Sequence, residues 1–339
     1  FAPFLFQAVC SLEELGVLNL MWDQREHGLR REDVAQRLGI SPYAATVLLE
    51  AGVAAEVFSM SDGVFTLTRV GYYLCNDRMT RVNLAFTRDV CYRPLQHLTE
   101  SLRQGRPCGL SELNTAFEDS ETLYADFGKL PSPVQESWLA FDHYYSDAAF
   151  QQALDIVLSS EVRRLLDVGG NTGRFAQLCL KSNPDVLVTI ADHPVQVESA
   201  KARLGEGSAS SRVAYLPRNL LSEERYPGGY CAIWLSQLLD CLGEDEVTAL
   251  LRSLRYSLRP GGRLFVLEPC WDLQRQRAGM EALTLLSLYF TSVANGNSRM
   301  YDSQTLTWLI SAGGFSVLER RDNLGVGHSL FVCEPVETG

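Results

Sequence analysis

Three glycines in Leu165-Leu-Asp-Val-Gly-Gly-Asn-Thr-Gly-Arg174 separate an apolar run from a helix-length segment, an arrangement suited to holding a ligand against the backbone. Gly169, Gly170 and Gly173 permit close approach, and the helix behind them points free N–H groups and a positive dipole end at an anionic group. The register narrows the ligand. A dinucleotide fingerprint requires G-x-G-x-x-G, but counting from Gly169 meets Asn171 and Arg174, and counting from Gly170 meets Thr172 and Phe175. A Walker A loop is excluded as well, because no Lys-Ser/Thr pair follows Gly173. Asp167 stands directly before the glycines. Asp192 ends the next apolar run, about the ~20 residues downstream expected of a carboxylate that holds ribose hydroxyls.

An aspartate in water has a pKa near ~4 and is a weak base unless burial raises it. Asp240, in Leu238-Leu-Asp-Cys-Leu242, therefore reads as a desolvated base, as a ligand for an acceptor hydroxyl or a cationic or amine group, or as a helix-capping carboxylate. His143 lies in the aromatic cluster Phe141-Asp-His-Tyr-Tyr145 and reads equally as a catalyst or a hydrogen-bonded structural group. Asn295-Gly-Asn-Ser-Arg-Met300 concentrates amides and Arg299, which suits a substrate's carboxylate or hydroxyls and also an ordinary polar loop. Asp240, Cys241, Glu268 and His143 lack a metal-ligand spacing, and no metal is expected.

The elements that must position these residues follow from hydrophobic periodicity. Apolar runs at Leu165–Val168, Val186–Ala191, Cys231–Leu235 and Leu264–Leu267 alternate with helix-length segments, which predicts a parallel α/β sheet. Phe315–Glu319 and Ser329–Cys333, joined by a Gly-containing connection, predict an antiparallel hairpin at its edge. Phe4, Ala8, Leu12, Leu15 and Leu18 predict a helix over Phe1–Asp23 that is apolar on more than one side. Leu29–Gly39 closes on Gly, Ser41-Pro42 opens a second helix, and residues 54–68 carry a Ser61-Asp-Gly63 turn between short apolar runs. That is helix-turn-helix grammar followed by a wing. Longer helical stretches run from Asp77 to about residue 150, broken at Gly105–Gly109 and Pro131–Pro133.

The chain's 339 residues suffice for two unequal domains, and 46% hydrophobic with 21% charged residues, without repeats, excludes disorder and solenoids. Lys and Arg number 30 against 41 Asp and Glu, and the net charge of −11 has the wrong sign for a partner of nucleic acid. Glu13 and Glu14 interrupt the apolar start, so no run approaches the ~20 apolar residues of a membrane span. The chain opens on Phe1 with no basic segment before it, and the expectation is a cytoplasmic protein without an export signal. Nine scattered cysteines without C-x-x-C read as reduced thiols.

Asp167-Val-Gly-Gly-Asn-Thr-Gly173, Asp192 and Arg259-Pro-Gly-Gly-Arg-Leu-Phe-Val-Leu-Glu268 together resemble the first motif, ribose carboxylate and fifth-strand segment of the class I S-adenosylmethionine-dependent methyltransferases. With the winged helix in front, the chain is similar over nearly its whole length to the plant-type small-molecule O-methyltransferases. The resemblance implies a Rossmann-like α/β sheet behind an N-terminal, mainly helical winged-helix dimerisation domain. It divides the chain into residues 1–100 for dimerisation, 101–150 for a helical linker contributing to the substrate pocket, and 151–339 for cofactor binding and catalysis. S-adenosylmethionine is the implied cofactor, S-adenosylhomocysteine its product, and the implied partners are a small-molecule acceptor and a second copy of the chain. Asp167, Gly169, Gly170, Gly173, Asp192, His193, Asn219, Leu220 and Ser236 are the implied cofactor contacts.

The departures lie at the catalytic positions. Asp240 stands where the family has a histidine in Leu-His-Asp-Trp, Glu268 matches one of two supporting glutamates, Ser298 replaces the other, and Asn219 replaces a customary aspartate. Phe141–Tyr145 corresponds to a Phe-Asn-x-x-Met-like segment with Tyr145 at the Met. Tyr144, Tyr145, Asn295 and Arg299 are accordingly expected against the acceptor, and His143, Asp240 and Glu268 in catalysis. The implied reaction is O- or C-methylation of a small aromatic metabolite bearing hydroxyl or carboxyl groups. Two alternatives are an enzyme of this fold that keeps the cofactor for a non-methylating reaction, and a winged-helix regulator that senses the cofactor. The regulator lacks Lys or Arg in its recognition segment Ser41–Glu50.

Overall fold

Gly16 breaks the apolar opening segment in two. Its left-handed backbone, φ 78°, ends α1 (Ala2–Glu14) and starts α2 (Val17–Asp23), where the periodicity alone predicts one helix. The computed structural model describes residues 1–117, 120–158, 162–205 and 210–336. The chain divides into two units, Phe1–Asp89 and Val90–Gly339.

In the first unit Leu12, Leu18 and Met21 turn inward while Phe4 stays 73% exposed, so one flank of α1 is uncovered among the described residues. The short strand β1 (Leu29–Arg30) leads into α3 (Arg31–Leu38), which ends on Gly39 at φ 65°. Ser41 then caps α4 (Pro42–Ala54) by accepting the Ala44 N–H at 3.1 Å. β2 (Phe58–Ser61) and β3 (Val64–Leu67) pair antiparallel, and with β1 they form a three-stranded sheet in the order β1-β3-β2. Gly52 lets this wing close on α4, since a Cβ there would lie 2.4 Å from the Phe58 ring. α5 (Arg69–Asn76) and α6 (Arg78–Phe86) complete the unit, tied back to α1 by the Arg88–Glu13 ion pair at 2.6 Å.

The second unit begins with α7 (Leu98–Gln104), stopped by left-handed Gly105, and the long α8 (Ser132–Val157). There follow β4 (Arg164–Val168), α9 (Arg174–Ser182), β5 (Leu187–Asp192), α10 (Pro194–Leu204), β6 (Val213–Pro217), β7 (Tyr230–Ser236), α11 (Glu244–Arg255), β8 (Leu258–Glu268), α12 (Arg277–Tyr289), α13 (Ser303–Ala312), β9 (Phe315–Leu324) and β10 (His328–Pro335). The seven strands lie in the order β6-β5-β4-β7-β8-β10-β9, with β4 to β8 parallel and β10 antiparallel to both its neighbours. Strands covered on both faces read as unbroken apolar runs, which is why β4 and β7 are visible in the sequence. β6 is not, because it lies at the edge and is only half-buried. Pro260-Gly-Gly262 sits within β8 rather than ahead of it. There the pairing with β7 jumps from Tyr230↔Leu258 to Ala232↔Arg263, a bulge built around left-handed Gly261.

The chain leaves β4 for β5 and β6 on one side and returns to β7 on the other. This reversal opens a crevice at the carboxyl ends of β4 and β7, where open α/β sheets bind ligands. Beneath it Trp234, 1% exposed, stacks on Phe175 at 4.0 Å and 12°. All nine cysteines are free. Among the described residues no single helix is long and apolar enough to cross a membrane.

Truncating Trp234 removes its stacking on Phe175 and the burial of its ring at the floor of the crevice. Trp234→Ala is expected to cost about 3–5 kcal/mol of stability, measured by urea unfolding; a loss below about 1 kcal/mol would place the core elsewhere.

Candidate active site

A cavity of about 650 Å³ occupies the crevice, within the ~300–1,000 Å³ typical of small-molecule sites. Its wall draws on the turn after β4, the ends of β5, β6 and β7, helix α8 and the segment around Tyr124. Gly169 has φ 73° and donates its N–H to Ala191 O at 2.8 Å, which brings the turn back over β5. At Gly170 a Cβ would lie 3.0 Å from the Asp167 carboxylate and 2.9 Å from Ile190. Both glycines line the cavity. Gly173 does not; a Cβ there would lie 3.2 Å from that of Ala200, so its smallness serves the packing of α9 on α10.

Two buried carboxylates face this part of the wall. Asp167 is 2% exposed, its Oδ2 has no hydrogen-bond partner, and burial followed by the charge of Asp192 pushes its pKa up to about 8. Asp192 accepts the backbone N–H groups of Asn171 at 2.8 Å and His193 at 2.7 Å. Those bonds oppose the effect of burial, and its pKa rises only to about 6. His193, Asn219, Leu220 and Ser236 complete this wall, and the buried Ser236 Oγ also lacks a partner. Carboxylate and hydroxyl oxygens short of donors suit a ligand rich in O–H and N–H groups or carrying positive charge.

The other sequence-predicted residues divide. His143 lines the cavity, but its Nε2 is engaged with Thr172 Oγ1 at 3.1 Å, and burial, helped by Arg174, lowers its pKa to about 4. Asp240 and Glu268 are brought together behind the wall, 4% and 3% exposed, and neither lines the cavity. Glu268 Oε1 accepts the N–H groups of Leu238 at 2.9 Å and Leu239 at 2.8 Å, while Asp240 Oδ1 accepts the Cys241 thiol at 3.3 Å. Burial raises both carboxyls, and the charge of Asp240 raises Glu268 further. Tyr144 and Tyr145 pack on each other at 5.1 Å, outside the lining. Asn295 lines the cavity with its amide already used, donating to Cys241 O at 2.6 Å and accepting from Ser298. Arg299 lies outside, paired with Glu244 at 3.2 Å.

Residues that sequence reasoning passed over also line the cavity, among them Tyr124, Trp138, Asp142 and Gln237. Asp142 Oδ2 accepts the Asn171 amide at 3.1 Å and Oδ1 that of Gln237 at 3.4 Å. The acidic position inside the aromatic cluster was its only signal in the sequence; Tyr124 and Gln237 had none. Among the described residues no group of three or more His, Cys, Asp and Glu could hold a metal ion.

Residues 135–316 match the O-methyltransferase domain family, and residues 1–65 match the Dimerisation2-like domain. The chain is 24% identical over 319 residues to the L-tyrosine C(3)-methyltransferase of Streptomyces lavendulae, covering 93% of this chain and 85% of the relative. It is 30% identical over 318 residues to the demethylspheroidene O-methyltransferase of Cereibacter sphaeroides, covering 92% and 79%. An O-methyltransferase from neocarzinostatin biosynthesis, solved with S-adenosylmethionine and 2-hydroxy-5-methyl naphthoic acid, superposes with a TM-score of 0.72 over 98% of this chain and 96% of that one. At 19% identity that likeness is one of fold.

The carboxyls of Asp167, Asp142 and Asp192 titrate at about 8, 7 and 6 in the folded protein, above the unfolded value near ~4. The folded state therefore binds more protons than the unfolded state between these limits, and stability falls as pH rises through the window. The ligand-free protein is expected to unfold at lower urea as pH rises from about 5 to about 8, and Asp167→Asn to flatten the slope. A stability that climbs with pH would contradict the burial of these groups.

Proposed function

The chain belongs to the O-methyltransferase domain family, and from that premise we propose that this S-adenosylmethionine-dependent methyltransferase acts on a small hydroxylated aromatic ring, placing the methyl group on the hydroxyl oxygen or a neighbouring carbon. The observation that carries this reading is the composition of one cavity. Donor-poor carboxylates and an unpartnered hydroxyl surround the glycine turn, and Tyr124, Trp138, Leu238 and Leu242 form apolar and aromatic wall beyond it. Asp167, Gly169, Gly170, Asp192, His193, Asn219, Leu220 and Ser236 would hold the cofactor, and Gly173 sets the packing behind them. The orphaned Asp167 Oδ2 and Ser236 Oγ fit its amine and hydroxyl groups, and the negative wall fits its positive charge.

S-adenosylmethionine supplies a methyl group already activated on a cationic sulfonium, so positioning of the acceptor carries much of the rate. Trp138 is itself fixed for that task, donating its indole N–H to Tyr289 Oη at 2.8 Å. Asp240 and Glu268 act from behind the wall, through their charge and through the Glu268 bonds that fix Leu238 and Leu239. We further propose that the protein works as a homodimer. Phe1, Phe4 and Leu15 are exposed on and beside α1, in the residues matched to a dimerisation domain.

Calorimetry is expected to show binding of both S-adenosylmethionine and S-adenosylhomocysteine, lost in Gly170→Val, whose branched side chain would enter the Asp167 carboxylate. Failure of the unmodified protein to bind either compound would overturn the reading. Incubation with methyl-labelled S-adenosylmethionine and a panel of phenols and hydroxynaphthoates, read by mass spectrometry, tests the acceptor. Cofactor binding without methyl transfer to any of them would favour the non-methylating alternative. Sedimentation of a monomer at micromolar concentration would count against the homodimer.

A further inference from the structure

On the reading that the acceptor carries a hydroxyl group, we propose that Asp142 is the catalytic base of this site, taking the hydroxyl proton from a position on α8 rather than from the loop after β7.

Geometry selects it. Asp142 keeps 20% of its side chain open and lines the cavity, whereas Asp240 and Glu268 do not reach the lining. Among the other acidic lining groups, Glu121 is exposed to solvent, and a carboxylate in water is a weak base. Asp167 and Asp192 sit at the ends of β4 and β5 against the glycine turn, and Glu246 Oε2 caps α11 by accepting the Gly243 N–H at 2.7 Å. Burial drives the Cys241 thiol and Tyr124 phenol far upward, so both keep their protons at neutral pH. His143 is bonded to Thr172 and takes up a second ring proton only in acid.

Asp142 is also aimed. Its two donors, Asn171 and Gln237, both have φ 48°, a left-handed conformation uncommon for residues other than glycine and characteristic of functional sites. The direction of the Gln237 amide is fixed from behind. Its Oε1 can only accept, so His328 Nε2, 3.2 Å away, must donate, which turns the Gln237 NH₂ toward Asp142. Burial keeps His328 neutral, and its single ring proton serves that bond. The carboxylate is thus held by donors alone, one on each oxygen, with lone pairs left toward the cavity.

The charged and titratable groups facing it are Asp240 from the loop after β7, Arg174 from the start of α9, and His143 and Asp147 from its own helix. Burial first and the charge of Asp240 second raise its pKa to about 7, against the Asn171 bond and Arg174. A base there can take a proton and return it near neutral pH. Asp240 is in this account a positioning residue that acts through Asp142.

The acceptor O–H bond breaks and its proton passes to an Asp142 oxygen. The hydroxyl oxygen's electron pair forms the bond to the methyl carbon as the carbon–sulfur bond breaks, leaving its electrons on sulfur. One positive and one negative charge disappear together, and the neutral Asp142 carboxyl then releases its proton to water.

The test has two arms. Infrared difference spectra between the unmodified protein and Asp142→Asn, recorded across pH, should reveal a carboxyl signal with a midpoint about 7. Asp240→Asn should move that midpoint toward acid. In the second arm, methyl transfer to the phenol panel should rise with pH through the same midpoint. Asp142→Asn should cut kcat by on the order of 10²–10⁴ and flatten the profile, with S-adenosylhomocysteine affinity unchanged as the control for folding. Asp142→Glu should recover part of the rate. A midpoint near ~4, or full turnover in Asp142→Asn, overturns the base while leaving the proposed function standing. A midpoint about 7 with no methylation of any hydroxylated ring overturns the acceptor class and the base with it.

Discussion

One residue, Asn171, ties the two halves of the cavity wall together. Its left-handed backbone aims its N–H at Asp192 Oδ2, and its side-chain amide reaches Asp142 Oδ2 across the turn. The carboxylate at the end of β5 and the one in the middle of α8 therefore share a single hinge point. A tight turn alone would position the first. Only an amide-bearing side chain that also tolerates φ above zero can position both, and asparagine is the common residue with those two properties. The glycines on either side make the turn possible; the asparagine makes it a site.

Around that point the chain has gathered carboxyl groups with few cations to match them. Asp142, Asp167, Asp192, Asp240 and Glu268 are each raised by burial, and Arg174 is the cation that enters the balance at Asp142. Such a field is costly in an empty protein and favourable once a cation fills it. It also distinguishes a sulfonium ligand from its neutral thioether product by charge alone, which favours release after the methyl group has gone.

The glycine turn and Asp192 were legible in the sequence because steric need and strand spacing leave marks on residue type and position. The parallel strands were legible because burial on both faces forces apolar runs. β6 was not, since a half-buried edge strand carries neither pattern. The break at Gly16 was concealed by apolar residues that keep helical spacing through it. Asp240 stood out in the sequence only through a family resemblance, and its place behind the wall, beside the Glu268 that accepts the N–H groups of Leu238 and Leu239, depends on contacts across thirty residues. Asp142 left only the mark of an acidic residue inside an aromatic cluster, for the same kind of reason. Its partners Asn171 and Gln237 lie 29 and 95 residues away, and its neighbours in sequence say nothing of either.

The proposed relation between Asp240 and Asp142 joins a carboxylate sealed behind the wall to one that lines the cavity. A histidine accepts a proton near neutrality with little help, whereas an aspartate must be desolvated and placed near another negative charge to do the same. In the proposed site the buried carboxylate of Asp240 adds such a charge, second to burial. The loop after β7 then contributes electrostatically to a group on α8, and it contributes geometrically too, because the same loop carries Gln237, whose amide holds the Asp142 carboxylate. Two acidic residues, one open to the cavity and one sealed behind it, divide between them what a single imidazole would do: the sealed one adds to the proton affinity that burial has already raised, and the open one meets the proton.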